Sequence, residues 1–277
     1  SGTTGVSPQN AVVGLTLNNV LESNSDSSGG PNFAMMAKVN NDGTFTIPYV
    51  SNGTYWPLAA KYADGDGQIN PDLGNDVVAF GDSIIVNNSS ITGLGLTFQK
   101  FTPYLLNQAK PIADSLAVVF PSGSVLKYIQ SYEGDTLGRS RNWQFYYYAS
   151  SNSTVYEVRV QPFGSFIELP DPSYSSWVAN LRTLTNVQTA ASSATVVSKV
   201  DAAGGRAFRT QSMGQYEFQM QVTLGDQNNG MFSNLSHDPT KFYWGVSYEW
   251  GYHTNNNQNW TTVVSQLYLC DFVTGDV

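Results

Sequence analysis

The stretch "DGDGQINPDLGND", residues 64–76, alternates oxygen-bearing side chains with glycine. Calcium sites use this pattern: carboxylate and carbonyl oxygens at alternate positions, a glycine at the sharp turn and a closing bidentate carboxylate. With Asp64 and Asp66 as the third and fifth positions of such a loop, Gly67 falls at the turn. The Gln68 carbonyl, apolar Ile69 and Asn70 follow in register, and Asp72, Asn75 or Asp76 can fold back to complete the set. Tyr62 and Leu73 stand where the opening and closing carboxylates belong. The same residues also make a hydrated Asp/Gly turn that needs no metal. Calcium on Asp64, Asp66, Gln68, Asn70 and Asp72 is therefore one expectation and the bare turn the other. A bound ion here would stiffen the loop rather than catalyse.

Other residues suggest catalysis and then fail on chemistry. "DVVAFGDSII", residues 76–85, resembles the nucleophile block of the Gly-Asp-Ser esterases, with Ser83 as nucleophile. That resemblance implies a base supplied by Asp-x-x-His. The chain's histidines are His237 and His253, and neither has an aspartate three residues earlier. A serine without a positioned base is a poor nucleophile. Glu133, Asp135, Glu157 and Glu168 are candidates for the paired carboxylates of glycoside hydrolysis, although solvated strand and turn charges are the simpler expectation. Two histidines and one cysteine make no zinc-type cluster. Cys270 lies in the alternating "SQLYLCDF" and reads as a small buried hydrophobe. No catalytic residue is assigned, and a non-enzymatic protein is expected.

Composition agrees. Charged residues are 12% of the 277, against ~25% in ordinary globular chains. Asn, Ser, Thr, Gly and Tyr replace them, as in extracellular β-proteins. The 13 Lys and Arg are scattered through a chain of net charge −8, which excludes a phosphate-binding stripe and hence nucleic acid. No apolar run is long enough to span a membrane. Six Asn-x-Ser/Thr sequons, at Asn52, Asn87, Asn88, Asn152, Asn234 and Asn259, are candidate glycosylation sites.

The elements that must position these residues are mostly short strands. "AVVGLTL", "FAMMAKV", "GTFTIPYV", "GTYWPLAAKY", "DSIIV" and "ITGLGLTF" alternate and are separated by Asn-Gly and Asp-Gly turns, which argues for a β-sandwich over residues 11–104. Gly43, Phe45, Ile47, Val50, Gly53 and Tyr55 are similar in order to the carboxypeptidase regulatory-like, transthyretin-type sandwich. That resemblance implies a stalk, spacer or interaction module. Residues 1–10 are left as an N-terminal arm.

From about residue 105 helix and strand alternate. "LNQAKPIADSLAVVF" predicts a helix from near Pro111, followed by "SVLKYIQSYE", "NWQFYYYAS" and "TVYEVRVQPFG". "VQTAASSATVVSKVDAAGG" predicts a second helix stopped by Gly204-Gly205. "QYEFQMQVTLGD", "KFYWGVSYEWG" and "WTTVVSQLYLCDFVTGDV" then follow as strands. Trp143 and Trp244 head equivalent strands, so residues 105–184 and 185–277 read as a repeat, each a helix on an antiparallel sheet. "DAAGGRAFR", "FYWGVSYEW" and "DFVTGDV" resemble PepSY-like modules of secreted bacterial proteins. The fold class is mainly β with α+β modules.

Aromatic residues lie on both faces of "NWQFYYYAS" and "KFYWGVSYEWG". The second face is expected to be covered by a helix or by the adjacent module, or else to stack on sugars or meet a neighbouring molecule. The expected function is a subunit of a bacterial surface fibre or layer, a polymer of copies of itself, with residues 1–17 contacting a neighbour. The alternative is a carbohydrate-binding adhesin or PepSY-like protease inhibitor, with a glycan as partner.

Overall fold

Apolar/polar alternation in the sequence becomes twelve strands in the computed structural model, which describes residues 11–17, 33–61, 77–98, 102–132, 134–162, 164–228, 230–254 and 259–277. The chain divides into two compact units, Ser1–Thr102 and Pro103–Val277. It is mainly β, with helices confined to the second unit among the described residues.

The first unit is an antiparallel sheet of β1 (Ala11–Thr16), β2 (Phe33–Lys38), β3 (Gly53–Lys61) and β4 (Val77–Phe80) in the order β2-β1-β3-β4. β5 (Ile84–Val86) pairs with the start of β3. β1 is hydrogen-bonded on both sides, to β2 and to β3. Ala11–Thr16, the described part of the expected contact segment 1–17 that forms a strand, therefore has no free edge to offer a neighbour; residues 1–10 lie outside the described residues. Val13, Ala59 and Ala79 form a small core, and Phe45, Ile47, Leu96 and Phe98 pack against it. Those four come from segments expected as strands, but residues 44–50 and 91–98 are not part of any strand. Tyr49 breaks the alternation that the sequence suggested. It has φ 58° and is 96% exposed.

The second unit is built on one seven-stranded antiparallel sheet. Its strands are β6 (Val125–Ser131), β7 (Trp143–Ala149), β8 (Thr154–Val160), β9 (Phe166–Glu168), β10 (Glu217–Gly225), β11 (Tyr243–Thr254) and β12 (Asn259–Asp271). Their order is β12-β11-β10-β6-β7-β8-β9. Residues 105–184 and 185–277, read from sequence as two modules, contribute to this one sheet the four-strand meander β6–β9 and the three-strand meander β10–β12, each preceded by a helix. The meanders meet edge to edge through their first strands, with Val222 opposite Ser131, Thr223 opposite Gln130, Leu224 opposite Ile129 and Gly225 opposite Tyr128. Trp143 and Trp244 both sit in the second strand of their meander and both are buried.

One core spans both meanders. Leu126, Ile129, Phe145, Val158, Val222, Leu224, Val246 and Tyr248 pack in it with helix residues from both halves. The first helix, α1 (Leu106–Ala117), buries Leu106, Ala109 and Ala113, the three-and-four spacing of a helix face. It starts five residues before the expected Pro111, which lies inside it. The Gln108 side chain accepts the Leu105 N–H at 2.9 Å and steadies the first turn. Burial of that face offsets the cost of an interior proline, ~3 kcal/mol.

The second helical stretch also departs from expectation. It runs as α3 (Ser193–Val200), a π turn at Asp201–Gly205, and α4 (Arg206–Arg209). Gly204-Gly205 does not stop it. Gly204, at φ 114°, kinks the chain, and α4 turns back so that Arg209 clamps Asp201, with Nη2 to Oδ2 at 2.7 Å. Tyr248 donates its hydroxyl to the same carboxylate at 2.9 Å. Burial pushes the Asp201 carboxyl up, but Arg209 and Tyr248 together hold it below its ordinary value. Trp250 closes the motif by donating Nε1–H to the Phe208 carbonyl.

Candidate functional site

The face of the second unit's sheet opposite the main core carries the buried carboxylates Glu157 and Glu249. Side chains alternate along β8, so Glu157 and Arg159 share a face, and pairing with β9 places Glu168 opposite Glu157. Arg159 Nε donates to Glu157 at 2.6 Å, and its Nη2 donates to Glu168. One guanidinium thus serves two carboxylates. Burial pushes the Glu157 carboxyl up to about 7 against the pull of Arg159, and Glu168 adds to the rise. Of the four carboxylates considered for glycoside chemistry, these two are brought together. Asp135 is elsewhere, accepting the Leu137 and Arg139 N–H groups in a tight turn, and Glu133 is outside the described residues.

Amides and phenols extend the network. Gln130 Nε2 donates to Gln144 at 2.7 Å and to the Tyr146 hydroxyl at 2.8 Å, and Tyr174 donates to Gln130 at 2.9 Å. Tyr174 comes from α2 (Pro172–Ala179), a helix absent from the sequence-based expectation. Asp171 caps it by accepting the Ser173 N–H, and Pro172 occupies its first turn. Tyr174, Trp177 and Val178 cover Tyr128, Tyr146 and Val155. The second aromatic face of β7 is therefore buried by the unit's own helix. Of the alternatives read from the sequence, this is cover by a helix, not a face left for a neighbouring molecule or a sugar. The Asp-Pro pair before "SYSSWVA" was the available signal.

On the other meander Glu249 accepts from Ser247 Oγ at 2.7 Å, Trp260 Nε1 at 3.1 Å and Thr262 Oγ1 at 2.5 Å. These clusters are satisfied internally. Chemically, Arg159 bridges the Glu157 and Glu168 carboxylates, and burial favours a proton on Glu157.

The outer edges of the sheet differ sharply. β9 has three residues and runs into Pro170 and Pro172, the short, proline-flanked edge that resists strand addition. β12 has thirteen residues and, among the described residues, pairs with β11 alone. Its register against β11 skips Val263, because Trp250 opposes Val264 and Gly251 opposes Thr262. Beyond that bulge, Val264–Cys270 is regular and contains no charge, proline or glycine. Val263 and Val264, at the start of this edge, are 46% and 36% exposed.

The calcium ligands expected from the sequence, Asp64, Asp66, Gln68, Asn70 and Asp72, lie outside the described residues. Among the described residues no group of three or more His, Cys, Asp or Glu is placed to hold a metal. Ser83 lies in the exposed link between β4 and β5, in a unit without histidine. Asn52, Asn87, Asn88, Asn152 and Asn234 are exposed, and Asn259 opens β12. Asn52 and Asn88 hydrogen-bond each other at 2.9 Å. Cys270 is fully buried, and burial pushes its thiol up to about 12. Among the described residues no helix is long and apolar enough to cross a membrane. Compared with family models, curated proteins and solved structures, the chain matches none.

Proposed function

We propose that this chain is a non-enzymatic structural subunit of an extracellular fibre or layer on a bacterial surface, assembled from copies of itself. The observation that supports this reading is the outer edge of β12. Natural sheets protect long edges with charge, proline, bulges or shortness. Val264–Cys270 has none of these along its length. An incoming strand gains backbone hydrogen bonds worth ~1 kcal/mol each, net of water, and meets no charged side chain. The low charge of the whole chain, 12% of residues, removes most of the repulsion that keeps neighbours apart, since salt screens the rest beyond ~8 Å.

One strand joint buries less than the ~1,000 Å² or more that a stable interface needs. A fibre or layer therefore uses a second contact, and residues 1–10 are the proposed source. The test is electron microscopy with light scattering over a concentration series. Filaments or sheets, with scattering that rises with concentration, are the expected result. A chain that stays monomeric at high concentration sinks the reading.

A further inference from the structure

We infer that the β12 joint is isologous: Val264–Cys270 of one copy pairs antiparallel with Val264–Cys270 of a second copy, about a two-fold axis at Leu267. This rests on the assembly reading and names its partner surface. The chain already contains a seam of the same kind, since β6 and β10 join its two meanders antiparallel, edge to edge.

A two-fold axis normal to the sheet reverses strand direction but keeps each face with its like. Val264, Gln266, Tyr268 and Cys270 lie opposite Trp250, Tyr248, Val246 and Trp244, on the helix-covered face. Ser265, Leu267 and Leu269 lie on the other face. Because facing residues must share a face, the axis passes through one residue, which then meets itself.

Register follows from what each alternative brings together. Centred on Leu267, all seven regular residues pair: Val264 with Cys270, Ser265 with Leu269, Gln266 with Tyr268, and Leu267 with Leu267. No charge falls inside the ladder, and Asp271 lands opposite the bulged Val263. Centred on Ser265 or Gln266, the bulge at Val263 falls opposite Leu267 or Leu269 and breaks the ladder. Centred on Tyr268 or Leu269, the Asp271 carboxylate is brought inside the ladder, opposite Ser265 or Leu267. A charged strand would set like charges against each other in any self-pairing, which costs stability, whereas this segment is neutral throughout.

The test is cysteine cross-linking of the assembled full-length protein with diamide, which oxidises two facing thiols to a disulfide. Directly opposite Cβ atoms in a ladder are close enough for that bond. L267C is expected to cross-link with itself, while S265C, Q266C and L269C alone do not. A mixture of S265C and L269C proteins is expected to cross-link between the two variants, a readout that does not depend on substituting Leu267. Wild-type Cys270, buried beneath the helices, is the internal control. Assembled material in which every position cross-links with itself indicates parallel pairing and overturns the inference. Assembled material with no cross-link at any position does the same, with the assembly reading left standing. Wild-type protein that never assembles removes both.

Discussion

Replacing Glu157 with glutamine should abolish a fall in stability that the wild-type protein shows between pH 4.5 and 8. Glu157 is 3% exposed, and it shares the Arg159 guanidinium with Glu168. With both carboxylates ionised the site holds excess negative charge where little water reaches. Burial accordingly raises Glu157 from the ordinary 4.5 to about 7. A folded-state value above the unfolded one means that the native protein holds the proton more tightly. Its contribution is complete below about pH 4.5 and is lost as pH rises through about 7. That interval corresponds to on the order of 3 kcal/mol. Asp201, Asp271 and Asp276 are held below 3.8, so their contributions are lost at more acid pH, outside this window. Glutamine keeps the shape and still accepts from Arg159, but it does not titrate. Urea unfolding followed by tryptophan fluorescence should show wild-type stability declining from pH 5 to 8. E157Q should stay level and exceed wild type at pH 8. A wild-type profile that is flat or rising over that range, or an E157Q profile as steep as wild type, would refute the reasoning.

Two further substitutions test the second unit. Asp201→Asn removes the charge that Arg209 clamps and Tyr248 donates to; with Arg209 partly exposed, the expected loss is ~2 kcal/mol, read as a Tm lower by about 6 °C. An unchanged Tm would show that the clamp contributes nothing. Gly138 has φ 72°, and a Cβ there would lie 2.4 Å from the Ser193 backbone at the start of α3. Gly138→Ala should therefore cost ~3 kcal/mol, from left-handed strain plus collision. Gly123→Ala, at φ 84° with nothing nearby, should cost ~1 kcal/mol from strain alone. Equal losses in chemical denaturation would show that the contact with α3 is soft.

The strands of the second unit were legible in the sequence because alternation is local. Trp143, Phe145 and Tyr147 on β7, like Trp244, Val246 and Tyr248 on β11, mark the core face two residues at a time. Their matching positions in the two halves also came from order alone. Helix limits were not legible. Pro111 and Gly204-Gly205 are breakers by local preference, yet burial of Ala109 and Ala113 and the Arg209–Asp201 clamp carry the helix past them. The polar "PSYSSWVA" becomes helix α2 only because Tyr128 and Tyr146 wait beneath it. In the first unit the alternation of Phe45, Ile47 and Tyr49 promised a strand, and two of the three do pack inward, but among the described residues no strand pairs with them.

What the tertiary structure alone decided is register and edge. Glu157 and Glu168 are eleven residues apart in sequence, and only the β8–β9 pairing sets them on one arginine. The joining of two meanders through β6 and β10 depends on residues about ninety positions apart, beyond any local pattern. The same pairing order leaves β12 outermost. Its neutral "VSQLYLC" was plain in the sequence as a strand, but whether a strand is central or an edge depends on which partners fill its hydrogen-bonding sides. That is a property of the whole sheet.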